Sequence, residues 1–249
     1  NFFHDNVLPK EYNQNRESMG GCAEDLFIEV SHGPTLIDNN IFLSDKAVKL
    51  ATQGVAMVHN IFAGSFVAVG KGVNNGAATL SSPRYTPYHV PHRTEIAGFM
   101  TILHGDCKIY NNIFIQKPMR DALKKGMEDN EINDNEWDDG NIITGTFKYD
   151  DYPTFEEWDK LFDGYCGMGS VKTDRYYTKL PVRAGGNVYF NGAKPMKKET
   201  DAIVDSKNKV EIDFEEKDGK IYLKTNLYDF LTSSKCKLMH TDDIAMAFE

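Results

Sequence analysis

Apolar and polar residues alternate through Leu26-Phe27-Ile28-Glu29-Val30-Ser31. Leu26, Ile28 and Val30 fall on one face and Phe27, Glu29 and Ser31 on the other, the period-two pattern of a strand with one buried face. The spacing predicts a strand that turns away from the core a carboxyl flanked by an aromatic residue and followed by a His-Gly-Pro turn. A carboxyl on a rigid strand, partly walled by apolar surface, is a suitable general acid. A solvated strand glutamate is the plainer reading of Glu29 alone.

A short phrase recurs as Asn1-Phe2-Phe3, Asn40-Ile41-Phe42, Asn60-Ile61-Phe62 and Asn112-Ile113-Phe114. Each of the last three follows a β-prone run: Thr35-Leu36-Ile37, Ala56-Met57-Val58 and Lys108-Ile109-Tyr110. The step of 20 residues from Asn40 to Asn60 suits one turn of a solenoid. Asn tolerates the left-handed backbone of a tight corner, and stacked Asn side chains can bond as a ladder. The pattern predicts an all-β fold, a right-handed parallel β-helix, over residues 1–116. Residues 117–186 read as a helical and loop insertion, and residues 187–249 as a small β-sandwich-like module.

Counting back 11 residues from each Asn aligns Glu29 with Lys49 and Thr101. Adjacent coils lie about 4.8 Å apart. Retaining glycosidases hold two carboxyls about 5–5.5 Å apart and inverting ones about 6.5–9.5 Å. Equivalent outward positions on neighbouring coils therefore meet the retaining distance, and a carboxylate partner for Glu29 is expected on the coil above. Lys49 beside Glu29 would favour the ionised carboxylate and oppose a general-acid role. Residues 7–24 read as a loop between coils.

Further along, His89 and His92 flank Val90-Pro91, with Arg93 next; these groups can bind sugar hydroxyls or orient a carboxylate. No zinc spacing is present, so no metal or cofactor is expected. His32 and His104 complete the candidate substrate-binding set; His104-Gly105-Asp106 either faces the same cleft or only turns a corner. The acidic run ending at Asp138-Asp139-Gly140 lacks the glycine of an EF-hand loop and reads as solvated. Thr154 and Glu157 predict a capping box that opens a packed helix with Phe155, Trp158, Leu161 and Phe162 as its stripe. Val210 to Phe214, Asp218-Gly219 and Ile221 to Leu223 predict a β-hairpin.

Composition narrows the function. In 249 residues the net charge is −9, with no Lys/Arg run, which argues against nucleic acid as a partner. At 41% hydrophobic and 12% aromatic residues the chain can bury a core. No apolar run reaches the roughly 20 residues of a membrane helix, and Asn1 to Asn6 do not resemble a signal peptide. Cys22, Cys107, Cys166 and Cys236 form no CxxC pair and read as free thiols, with a disulfide left open. Oligomeric state and compartment are left open, a homo-oligomer included.

Together, Asp25-Leu26-Phe27-Ile28-Glu29-Val30-Ser31-His32-Gly33-Pro34, Asp38-Asn39-Asn40-Ile41-Phe42, Tyr88-His89-Val90-Pro91-His92, Tyr152-Pro153-Thr154-Phe155-Glu156-Glu157 and Gly186-Asn187-Val188-Tyr189-Phe190-Asn191-Gly192-Ala193-Lys194-Pro195 resemble phrases of the β-xylosidases of glycoside hydrolase family 120. The resemblance implies a right-handed parallel β-helix with a β-sandwich module, and retaining release of xylose from the non-reducing end of xylo-oligosaccharides. It implies that Glu29 is the acid/base and that the nucleophilic Asp lies on the preceding coil, so that the chain reads as an interior fragment of a longer enzyme. A β-helix polysaccharide lyase and a non-catalytic carbohydrate-binding solenoid are the alternatives.

Overall fold

The computed structural model describes residues 1–6, 24–29, 31, 33–68, 84–85, 101–102, 104–118, 143–164 and 179–231. The chain winds through three parallel sheets. The first coil contributes β1 (Phe2–Phe3), β2 (Glu24–Glu29) and β3 (Thr35–Asp38). The second contributes β4 (Ile41–Phe42), β5 (Lys46–Ala51) and β6 (Val55–Val58). The third begins with β7 (Ile61–Phe62) and β8 (Ser65–Ala68), departs through the antiparallel pair β9 (Arg84–Tyr85) and β10 (Thr101–Ile102), and returns at β11 (Cys107–Tyr110). Next come β12 (Ile113–Ile115), β13 (Val182–Gly185), β14 (Val188–Phe190) and β15 (Ile203–Asp205). Sheet 1 is ordered β1-β4-β7-β12-β14-β15, sheet 2 β2-β5-β8 and sheet 3 β3-β6-β11-β13. This is the parallel β-helix that the Asn-apolar-Phe repeat predicts.

Several expectations change in detail. The expected loop of residues 7–24 lies outside the described residues except for Glu24, which opens β2; β1 and β2 are successive strands of one coil. β14 and β15, expected in a separate module, continue sheet 1. Thr101 pairs with Tyr85 in the antiparallel excursion and is no part of sheet 2.

One column of side chains explains the repeat. The Nδ2 of Asn1 donates to Asn40 Oδ1 at 2.9 Å, Asn40 to Asn60 at 3.1 Å, Asn60 to Asn112 at 3.0 Å and Asn112 to Asn187 at 3.0 Å. Each inner Oδ1 also takes a backbone N–H from the coil before it, as Asn112 Oδ1 does from Asn60 at 3.0 Å. The left-handed residue of the corner is the one before the ladder, namely Asn39 (φ 54°), His59 (57°), Asn111 (53°) and Gly186 (63°). Asparagine is therefore used for its two-way amide, which bridges coils at the strand spacing, while the residue ahead of it takes the αL turn. Two residues on, Phe3, Phe42, Phe62, Phe114 and Tyr189 stack with centroids 5.0, 5.2, 5.0 and 5.1 Å apart. Such pairs add about 0.5–1.5 kcal/mol each beyond their burial.

Glu199 ends the ladder. Its Oε1 accepts from Asn187 Nδ2 at 2.7 Å. Its Oε2 meets Tyr189 OH at 2.5 Å and Thr146 Oγ1 at 2.8 Å, and those two hydroxyls lie 2.8 Å apart. Three contacts share two hydroxyl protons if the carboxyl is ionised; a protonated Glu199 supplies the third. Burial raises this carboxyl above its ordinary value of 4.5. The folded state then holds the proton more tightly than the unfolded chain, so the contribution is full below pH 4.5 and lost as pH rises through the folded value. Melting followed from acid to neutral pH should show this decline, and Glu199→Gln should flatten it.

The outward side of sheet 1 carries Phe2, Ile41, Ile61, Ile113, Val188 and Ile203, packed in a second core with Val210, Ile212 and Leu227. Its cover is the hairpin of β16 (Ile212–Lys217) and β17 (Lys220–Thr225), which turns as expected through Asp218-Gly219 with φ of 54° and 68°. The capping box of the short helix Phe155–Lys160 is present. The helix has no buried residue; its rings contact one another, Phe155 with Trp158 and Trp158 with Phe162. Cys107 is a buried free thiol, pushed up to about 12 by burial. Among the described residues no helix is long and apolar enough to cross a membrane.

Candidate functional site

Glu29 closes β2, the outer strand of sheet 2. Leu26 and Ile28 pack against the core while Phe27 is 39% exposed, so Glu29 occupies a position of the outward parity. Both ends of this strand are held. At its start the Nδ2 of Asn6 donates to Glu24 O at 2.5 Å, and Ser44 N donates to Asp25 Oδ2 at 3.1 Å. Beyond its end, Ser31 O accepts Gln53 N at 3.2 Å and Thr52 Oγ1 at 2.5 Å. Gly33 follows with φ 76°, where a Cβ would lie 2.3 Å from Gly54 O. Only glycine passes that point without moving the corner.

The register corrects the column of Glu29. Ile41↔Ile61 in sheet 1 and Thr35↔Val55 in sheet 3 pair at an offset of 20 residues, whereas β2 and β5 of sheet 2 pair Glu29 with Ala51 and Phe27 with Lys49. The corner of residues 30–34 is two residues longer than the corner of residues 52–54, so β2 and β5 are offset by 22. Lys49 therefore stands beside Phe27. Its Nζ lies 5.4 Å from the Phe27 ring centroid and 3.7 Å from Glu24 Oε1. The register neighbour of Glu29 is an alanine.

His32, His89, His92 and Arg93 lie outside the described residues. His104 is described, and the corner is where it lies: 1% exposed, with φ 60° and its carbonyl accepting Leu180 N at 2.9 Å. Gly105 bridges Gln53, which in turn bonds Ser31, so His104 flanks the corner that follows Glu29 two coils further on.

Asp25 carries a signal that sequence reasoning passed over. Its Oδ1 is buried without a hydrogen-bond partner, and burial pushes the carboxyl up to about 6 against the pull of the Ser44 bonds, Lys117 and His4. Its only mark in the sequence is an acidic residue in a strand otherwise flanked by core positions. A cleft of about 980 Å³ is lined by Asp45, Gln116, Lys117, Asn191, Asn208 and Glu211 among others.

No family model matches the chain, and no curated protein does. Among solved structures it is similar to XylC, determined in complex with xylose, at 34% sequence identity and a TM-score of 0.55. The match covers 80% of this chain and 26% of XylC, so the chain spans about a quarter of that protein's length. This likeness supports the resemblance drawn from the sequence: the chain is similar to the proteins of glycoside hydrolase family 120, and it shares with XylC an all-β parallel β-helix.

Proposed function

We propose that this chain forms the acid/base half of a retaining glycoside hydrolase that releases xylose from the non-reducing end of xylo-oligosaccharides. The observation that carries the reading is the 34% identity to a protein solved with xylose, across 80% of the chain. In this mechanism Glu29 gives its proton to the glycosidic oxygen as the C1–O bond breaks. A carboxylate of the coil before β2 attacks C1, forming a glycosyl ester. Glu29, now a carboxylate, takes a proton from the water that cleaves the ester.

One feature of the described residues supports the role: the strand of Glu29 is fixed at both ends, as positioning of a proton donor demands. The full-length polypeptide incubated with xylotriose should first yield xylose and xylobiose. Unsaturated products would point to a lyase, and binding without turnover to a carbohydrate-binding solenoid.

A further inference from the structure

Two cations stand opposite each other on the outward face of sheet 3. Cys107, Ile109, Val182 and Ala184 belong to the core, so Lys108 of β11 and Arg183 of β13, which are register partners, take the outward positions between them. Like charges directly opposite on neighbouring strands destabilise a sheet. Lys108 is answered by Asp106, whose Oδ1 lies 3.9 Å from its Nζ. Arg183 is not answered in this way. Among the described residues its guanidinium has no hydrogen-bond or ion-pair partner, and it lies 5.2 Å from the centroid of the Phe155 ring. Asp106, Lys108 and Glu156 are within its electrostatic reach.

Phe155 is held beside β13 because Val182 N donates to Pro153 O at 3.3 Å, just ahead of the helix Phe155–Lys160. Trp158 backs the ring at 6.0 Å, yet Phe155 is 43% exposed. The amphipathic stripe predicts a packed ring at this position; the structure leaves it half open beside a guanidinium with five N–H donors. These groups suit a pyranose. Its apolar C–H face can lie on the ring, while its hydroxyls bond the guanidinium, the ammonium and the carboxylates.

The patch is also aligned with Glu29. The corner that follows β2 stacks along the coil axis: Ser31 O accepts Gln53 N at 3.2 Å, Gly105 O accepts Gly54 N at 3.2 Å and His104 O accepts Leu180 N at 2.9 Å. Glu29 precedes this corner in the first coil, Asp106 and Lys108 follow it in the third, and Arg183 follows it in the fourth. At about 4.8 Å per coil, Arg183 stands roughly 14 Å further along the axis than Glu29. A xylose unit of a β-1,4-linked chain is about as long as one such step.

We propose that Phe155, Arg183, Lys108 and Asp106 form a remote subsite for the leaving side of a xylo-oligosaccharide. Phe155 and Arg183 hold the third sugar beyond the cleaved bond, and Lys108 with Asp106 meets the second. This rests on the hydrolase reading, in which the released xylose lies toward the carboxylate before β2 and the remaining sugars run over the later coils. Xylotetraose reaches the whole subsite, and xylobiose reaches none of it.

Steady-state kinetics of the full-length polypeptide on these two substrates tests the subsite. The parent should show a higher kcat/KM on xylotetraose than on xylobiose. Phe155→Ala and Arg183→Gln should each lower the ratio of the two values by about tenfold, the effect of losing one good contact, with the change carried by KM. Phe155→Tyr, which keeps the ring, should preserve the ratio. A role in folding alone would lower both values together and leave the ratio in place, which overturns the subsite, as does a parent that treats the two substrates alike. Either result leaves the hydrolase reading intact. A parent inactive on both would overturn that reading and the subsite with it.

Discussion

Glu29→Gln in the full-length polypeptide should lower kcat/KM for xylobiose by about 10²- to 10⁴-fold, the usual contribution of a positioned general acid or base. Glutamine keeps the shape and polarity of the side chain but has no proton to give to a sugar leaving group. The loss should shrink for a dinitrophenyl β-xyloside, whose leaving group departs without protonation. With that substrate the glycosyl ester still forms, and its hydrolysis becomes the slow step because water has lost its base. Added azide, a nucleophile that needs no base, should then restore turnover and give xylosyl azide. A side chain that merely shapes the cleft would depress both substrates alike and would not respond to azide. Equal activity of mutant and parent would remove Glu29 from the mechanism.

Asn112→Ala should destabilise the fold by about 3–5 kcal/mol, read as a fall in the unfolding midpoint. Asn112 is fully buried. It donates to Met57 O at 2.9 Å and Asn187 Oδ1 at 3.0 Å, and it accepts the backbone and side-chain amides of Asn60, both at 3.0 Å. Alanine deletes one side chain and leaves polar groups of three residues short of a partner. Unsatisfied buried groups cost about 1–3 kcal/mol each, and a small polar slot between stacked coils cannot collapse to relieve them. Asn39→Ala tests the division of labour within the corner. It removes no ladder bond and acts through the left-handed backbone alone, at a cost nearer 1 kcal/mol.

These outcomes rest on features that differ in how plainly the sequence displays them. The ladder was legible because Asn-apolar-Phe repeats intact in four coils. Its fifth member, Asn187, escaped that template because Tyr189 stands where the others have Phe; an Asn-apolar-aromatic pattern would have found it. The 20-residue period carried Lys49 into the wrong column, since a period read from one sheet holds in another only if every corner has equal length. The two extra residues between Glu29 and Thr35 lie in a corner whose length alternation cannot reveal. Thr101 failed for the same reason on a larger scale: a count across an excursion assumes a coil that is not there. Asp25 was invisible because its character comes from what closes over it. The helix at Phe155 was legible at its cap, a local matter, and not in its burial, which depends on what lies opposite.

The solenoid gives the proposed chemistry its most specific consequence. Strands of adjacent coils lie about 4.8 Å apart, close to the roughly 5–5.5 Å between the carboxyls of retaining glycosidases and well short of the roughly 6.5–9.5 Å that leave room for water in inverting ones. If Glu29 works with a carboxylate of the neighbouring coil, the anomeric configuration must survive hydrolysis. Proton NMR of xylobiose hydrolysis by the full-length polypeptide, recorded before mutarotation, reads that outcome directly. The β-anomer of xylose should appear first, with the α-anomer growing in only as the sugar equilibrates. First appearance of α-xylose would contradict a pair of carboxyls set by coil spacing, and with it the placement of Glu29 at the centre of the site.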